Sequence, residues 1–264
     1  MENFFFETKR ELNDEYVISK IAQHECAPHI HRQMEILYVL SGEYQASVND
    51  QTAKLCKNQI AVADSFDVHK WEPNHATAFY IVIPYSALSA FIEQKNGKIL
   101  SNHFILDSEV CLHIKSLAQA LKQNIISPEP LITEGLTKVL LGILLQNLPL
   151  TEKSKFNKNF LVHEVLDYIE QNFMHDITLE IISERFSYSK YYFSRTFNQI
   201  LGCHLETYIN MIRTQNVLYL MKKKKYSVTE AVFESGFSSL PTFYRYFKTR
   251  YKCSVTQYLK KENL

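Results

Sequence analysis

Ser189-Lys-Tyr-Tyr-Phe-Ser-Arg-Thr-Phe197 and, fifty residues further on, Ser239-Leu-Pro-Thr-Phe-Tyr-Arg-Tyr-Phe247 share the pattern S-x-x-x-F-x-R-x-F. Phe193 and Phe197 are four residues apart, as are Phe243 and Phe247, so each pair lies on one helix face and can root that helix in a core. Arg195 and Arg245 fall between them and point the other way. A helix with an aromatic root and an outward Arg is built to present that Arg, which can bond guanine O6 and N7 bidentately in the major groove of DNA. A single such helix would read as an amphipathic surface helix; two in a matched repeat favour DNA. Tyr191 and Ser194 flank Arg195, Lys190 precedes them, and Tyr244 lies beside Arg245.

The match extends outward at the same offset. Glu180, Ile182 and Glu184 align with Glu230, Val232 and Glu234, and Cys203, Leu205 and Tyr208 align with Cys253, Val255 and Tyr258. Phe186-Ser-Tyr-Ser189 and Ser235-Gly-Phe-Ser-Ser239 each separate a short helix from the Arg-bearing one, the turn that a helix-turn-helix requires. Thr178, Ser189 and Ser239 stand where N-caps belong. Residues 206–223 read as one long helix that would fix the spacing of two reading heads, about 34 Å apart on one face of B-DNA. Lys222 to Lys225 is a lysine run, and Lys222, Lys223 and Lys224 are expected to contact phosphates.

Charge follows the same division. Residues 1–150 carry 12 Lys+Arg against 17 Asp+Glu, a net of −5; residues 151–264 carry 17 against 11, a net of +6. Only the back half suits a polyanion. The five cysteines form no C-x-x-C pair, which argues against a disulfide framework or a zinc ribbon and fits a reducing, cytoplasmic setting. The first ten residues lack the features of a signal peptide. The longest apolar run, 139–145, is far short of the roughly 20 residues of a membrane span.

The front of the chain has a different texture. Residues 35–42, 44–48, 59–63 and 78–83 are short β-rich runs separated by turn residues such as Gly42 and Asn49-Asp50, a barrel or sandwich pattern. After Pro84 the period becomes helical: Val110, Ile114, Leu117 and Leu121 mark one helix, and Leu136, Val139, Leu140, Ile143 and Leu144 mark a second beyond the break at residues 127–130. This helix pair either packs on its own barrel or pairs protomers. The expected organisation is α+β: a sensing domain over 1–106, a helical dimerisation segment over 107–148, a linker over 149–158, and two helix-turn-helix units joined by a long helix over 159–264.

At residues 179–197, at Ile212-Arg213, and from Gly236-Phe-Ser-Ser239 through Phe247 to Tyr258, the chain resembles the AraC/XylS family of bacterial transcription regulators. The resemblance covers about 100 C-terminal residues. It implies base-reading positions at Tyr191, Ser194 and Arg195, then at Leu240, Pro241, Tyr244 and Arg245. Ser183, Val232 and Asn216 stand where that family usually has small alanines. Leu240 and Pro241 stand where it often has polar readers, so the second unit is expected to read shape and phosphates more than base edges. The front half resembles the cupin-type sensor barrel of such regulators, a jelly roll. His29-Ile-His31, Glu35 and Gly42 keep the HxH(x)3E(x)6G spacing, and His69 falls where the second motif supplies its histidine, whereas Asn58, Asp64 and Phe66 replace the Gly, Pro and Gly of that motif. His29, His31, Glu35 and His69 are expected to line a pocket for a small-molecule effector; as an alternative they bind a divalent transition metal. The resemblance implies a non-enzymatic regulator without a resident cofactor, acting as a homodimer on promoter DNA, and on RNA polymerase if it activates. The competing reading is a metal-dependent cupin enzyme fused to a DNA-binding tail. Phe4, Phe5 and Phe6 lie in an N-terminal arm that would close over the pocket.

Overall fold

The runs at 35–42 and 44–48, read from the sequence as two strands, are one strand. The computed structural model describes residues 5–6, 15–126, 128–152, 158–224 and 226–261, leaving out the side chains of 5–6, 158–163, 223–224 and 261. In it β4 (Met34–Val48) runs through Gly42 without a turn. Gly42 takes φ +70° at a register shift in the pairing with β7 (His69–Ile83), and its Cα passes so close to that strand that a Cβ would stand 2.2 Å from the His75 carbonyl oxygen. The glycine bends a continuous strand, as a bulge does, rather than ending it.

β4 and β7 are therefore long enough to pair twice. The first half of β4 lies against the second half of β7 and against β6 (Ile60–Ala63); the second half of β4 lies against the first half of β7 and against β5 (Gln51–Leu55). β2 (Val17–Ala22) and β3 (Cys26–Ile30) add to β7, β1 (Phe5–Phe6) runs parallel to β3, and β9 (Phe104–Ile105) adds to β6. Strand period 2 sorts the side chains into two cores. Leu37, Val39, Ala61, Ala63, Ala78, Tyr80 and Val82 join Trp71 on one face. Ile36, Tyr38, Ile60, Val62, Ile81 and Ile83 meet the helices on the other. Those helices are α1 (Ser89–Lys95), α2 (Ser108–Ile126) and α3 (Pro130–Asn147), which bury Phe91, Ile114, Leu121, Leu140 and Leu144. Leu150–Thr151 (β10), within the stretch read as linker, pairs with β8 (Ile99–Leu100).

The described residues after β10 are helical: α4 (Lys158–Asn172), α5 (Leu179–Arg185), α6 (Lys190–Leu201), α7 (Leu205–Lys224), α8 (Val228–Glu234), α9 (Leu240–Tyr251) and α10 (Val255–Lys261). The chain thus combines an N-terminal sheet-rich unit with a C-terminal helical one, and contacts divide it into residues 1–154 and 155–264. No helix among the described residues is long and apolar enough to cross a membrane.

Candidate DNA interface and a buried histidine cluster

The two short-helix/long-helix pairs are α5–α6 and α8–α9. Their starts are capped by side chains: Thr178 accepts from the Ile181 N–H (3.3 Å), Ser189 from Tyr192 (3.2 Å) and Ser239 from Thr242 (3.4 Å). Ser227 caps α8 in a reciprocal capping box with Glu230. Phe193 and Phe197 are buried with ring centroids 5.4 Å apart, as are Phe243 and Phe247 at 5.6 Å, while Arg195 and Arg245 are exposed. The repeat is not uniform. The Phe186 N–H bonds the Ile182 carbonyl and the Ser235 N–H bonds that of Ala231; Tyr188 N–H bonds Ser183 and Phe237 N–H bonds Val232. The short helices are therefore related by 49 residues and the long ones by 50. The alignment of Ile182 with Val232 is off by one, because the second turn holds an extra residue, Ser238, before its N-cap.

The other expected contact residues fall unevenly. Tyr191 is 76% exposed and Ser194 half-buried. Lys190 is exposed but ion-paired with Glu180 at 2.6 Å. In the second unit Tyr244 is exposed, Pro241 sits exposed in the first turn of α9, and Leu240 packs partly against the cluster around Phe243 and Phe247. Lys222 is exposed on α7; the side chains of Lys223 and Lys224 lie outside the described residues. The three larger residues at expected alanine positions are all accommodated. Ser183 returns its hydroxyl to the Leu179 carbonyl (2.6 Å), Val232 is fully buried, and Asn216 donates to the Ser235 hydroxyl (3.0 Å).

In the sheet-rich unit, β3, the connection after it, β4 and β7 bring His29, His31, Glu35 and His69 together. All four are buried, and their ligand atoms lie within 4.8 Å of one another. His29 and His69 are cross-strand partners with ring centroids 4.1 Å apart. Each ring places Nδ1 against a backbone carbonyl: His29 on Ala27 (2.9 Å), His31 on Gln33 (3.1 Å) and His69 on Asp67 (2.8 Å). A carbonyl only accepts, so each Nδ1 carries the proton, and in a neutral ring Nε2 is the lone pair. Two of these Nε2 atoms face the same carboxylate oxygen, Glu35 Oε2, at 3.1 Å from His31 and 3.5 Å from His69. Lone pairs at that distance in a buried site need a proton or a cation between them. Burial, then the neighbouring His69, pushes His29 down to about 3, so it stays neutral. Burial would raise the Glu35 carboxyl, but His69 and His31 outweigh it and hold it well below the usual range.

Two residues that the spacing did not single out complete the site. Trp71 donates Nε1 to Glu35 Oε1, and Tyr80 donates its hydroxyl to Glu35 Oε2 at 2.5 Å. Trp71 was within reach of a sequence argument: it stands two residues from His69 and so shares its strand face. Asn58 and Phe66, in place of glycines, take φ +62° and +65°. The Phe66 N–H bonds the His31 carbonyl (2.8 Å), which ties the connection between β3 and β4 to the loop before β7.

Residues 182–261 match the family model of a helix-turn-helix domain. The multiple antibiotic resistance protein MarA of Salmonella typhimurium is 30% identical over 97 residues, 37% of this chain and 76% of that protein. The chain belongs to the AraC/XylS family. Its C-terminal unit is an AraC-type DNA-binding domain. An uncharacterized HTH-type transcriptional regulator of Staphylococcus aureus is 31% identical to this AraC/XylS-family chain over 87 residues, 33% of the chain, which spans 12% of that relative's length. Apo ToxT from Vibrio cholerae aligns over 94% of this chain and 97% of its own at 10% identity and a TM-score of 0.43.

Proposed function

We propose that this AraC/XylS-family chain is a sequence-specific transcription regulator whose N-terminal unit, a cupin-type barrel, senses a divalent transition metal. The observation that carries the reading is the convergence of His29, His31, Glu35 and His69, with the Nδ1 protons of the three histidines already committed to carbonyls. Imidazole and carboxylate donors suit zinc, nickel, copper or iron, and partners that orient the ligands are the mark of a built site. A small-molecule effector lined by these four residues is the second reading; the close spacing of their ligand atoms favours an ion.

The rest of the reading follows from exposed groups. Arg195 with Tyr191, Ser194 and Lys190, and Arg245 with Tyr244, meet base edges and phosphates of promoter DNA. Leu131, Ile132 and Val139, exposed on α3, pair two protomers. An activator would in addition contact RNA polymerase, in the cytoplasm. Phe5–Phe6 pairs with His29–Ile30, so the N-terminal arm runs beside a ligand strand.

The test uses Trp71, the one tryptophan of the chain. Zinc, nickel or cobalt titrated into chelator-stripped protein should change its fluorescence at one equivalent, cobalt should give visible ligand-field bands, and the affinity for bound DNA should shift. His69→Ala should abolish all three. No saturable response to these ions, nor to copper or to iron(II) in the absence of air, would end the metal reading.

A further inference from the structure

The loop between α4 and α5 belongs to the first helix-turn-helix half, yet it is held by the joining helix α7 and by the turn of the second. From α7, Arg213 donates Nε to the Phe173 carbonyl (2.7 Å) and Nη2 to the His175 carbonyl (2.8 Å). From the turn between α8 and α9, Gly236 presses on the residue in between: at φ +85°, a Cβ there would stand 2.6 Å from the Met174 carbonyl oxygen and 2.7 Å from its Cα. Three consecutive residues are thus gripped at both ends by one guanidinium and contacted in the middle by a glycine backbone. Phe237 lies under the same guanidinium, 6.0 Å from its ring centroid. Three residues along α7 from Arg213, Asn216 bonds Ser235, which is buried and returns its hydroxyl to the Ala231 carbonyl (2.6 Å).

The chemistry of this joint makes it stiff. Carbonyls just past a helix end lack intrahelical donors, and a planar guanidinium satisfies two of them in one fixed geometry. A glycine in backbone-to-backbone contact leaves no slack: any side chain would push the turn away, and α9 starts four residues later. Displacing the joint therefore displaces Arg245 relative to Arg195. On DNA, one added base pair moves a half-site by about 3.4 Å and rotates it by a tenth of a turn, which a stiff pair of heads does not follow.

We infer that Arg213 and Gly236 are positioning residues: by clamping the Phe173–His175 loop they set the separation of the recognition helices α6 and α9, and so the half-site spacing that one chain accepts. The experiment compares wild type with Arg213→Gln and Gly236→Ala in the full chain. Duplexes bound from a random-sequence pool are sequenced, and the distance between labels attached by non-cysteine chemistry at the exposed Gln199 of α6 and Lys248 of α9 is measured in the free protein. Wild type should recover two motifs at one spacing and show one narrow distance. The variants should recover the same motifs at several spacings and show a broadened or displaced distance, with helix content unchanged. Arg213→Gln adds no bulk, so it carries the test if Gly236→Ala does not fold. A variant that keeps a single spacing and the wild-type distance would overturn the inference, as would a wild-type protein that recovers only one motif.

Discussion

Arg195 and Arg245 are equivalent in the repeat but not in their surroundings. Around Arg195 stand an exposed Tyr191, a half-buried Ser194 and an exposed Lys190; ahead of Arg245 stand Leu240, partly taken up by the core, and Pro241, which has no donor to offer. Arg195→Ala is therefore expected to weaken binding to selected sites by about 1–3 kcal/mol and to relax preference at one base. Arg245→Ala should relax preference in the second motif by less, and lose a larger share of its affinity on random duplexes as well. Competition binding against both kinds of duplex checks this, and the opposite ranking would reverse the assignment. In the histidine cluster, Tyr80→Phe removes a donor to Glu35 without touching a ligand, and should lower zinc affinity 10–100-fold in competition with a chelator, with Trp71 kept as reporter. The four residues of the cluster were legible, because HxH, Glu35 and His69 have a recognisable spacing. Tyr80 was not, because it reaches Glu35 across the sheet from 45 residues away and strand pairing is not written in local pattern.

At the scale of elements, what the sequence hides is mostly continuity and register. Gly42 reads as a turn, since glycine ends more strands than it bends; only the close approach of His75 shows that β4 carries on. Gly42→Ala should cost well over about 1 kcal/mol in chemical denaturation, as the left-handed φ and the contact both oppose a Cβ. Helices were easier to read, since caps and aromatic spacing are local signals, but the one-residue difference between the two turns required the backbone bonds. The long helices also end differently. α6 closes on Gly202 at φ +64°, and α9 closes on Lys252 at φ +57°. A lysine there bears a left-handed conformation that glycine adopts freely. Lys252→Gly is expected to stabilise the helical unit by about 1 kcal/mol, visible as a raised thermal midpoint; a lowered midpoint would mean that the lysine side chain compensates through a contact of its own.

The whole molecule joins two units of opposite charge, −5 over residues 1–150 and +6 over 151–264, each with its own buried clusters. Ile36, Ile81 and Leu144 hold the first; Phe243, Phe247 and Val232 hold the second. Because the cores are separate, calorimetry should resolve two transitions that respond to different ligands. Anything that binds only the folded form stabilises it by RT ln(1 + [L]/Kd), about 2.7 kcal/mol at a hundredfold excess over Kd. For a unit of roughly 150 residues this raises the midpoint by roughly 5–11 °C. Zinc should thus move the transition of the sheet-rich unit, and duplex DNA that of the helical unit, the latter effect shrinking as salt rises because phosphate contacts release counterions. Regulation requires more than this independence: a sensor can act on DNA only through a coupling free energy, and that coupling is reciprocal. The measurable sign of it is a zinc-induced shift in the DNA transition on top of the shift in its own. A single transition moved equally by either ligand would instead mean that the two units unfold as one.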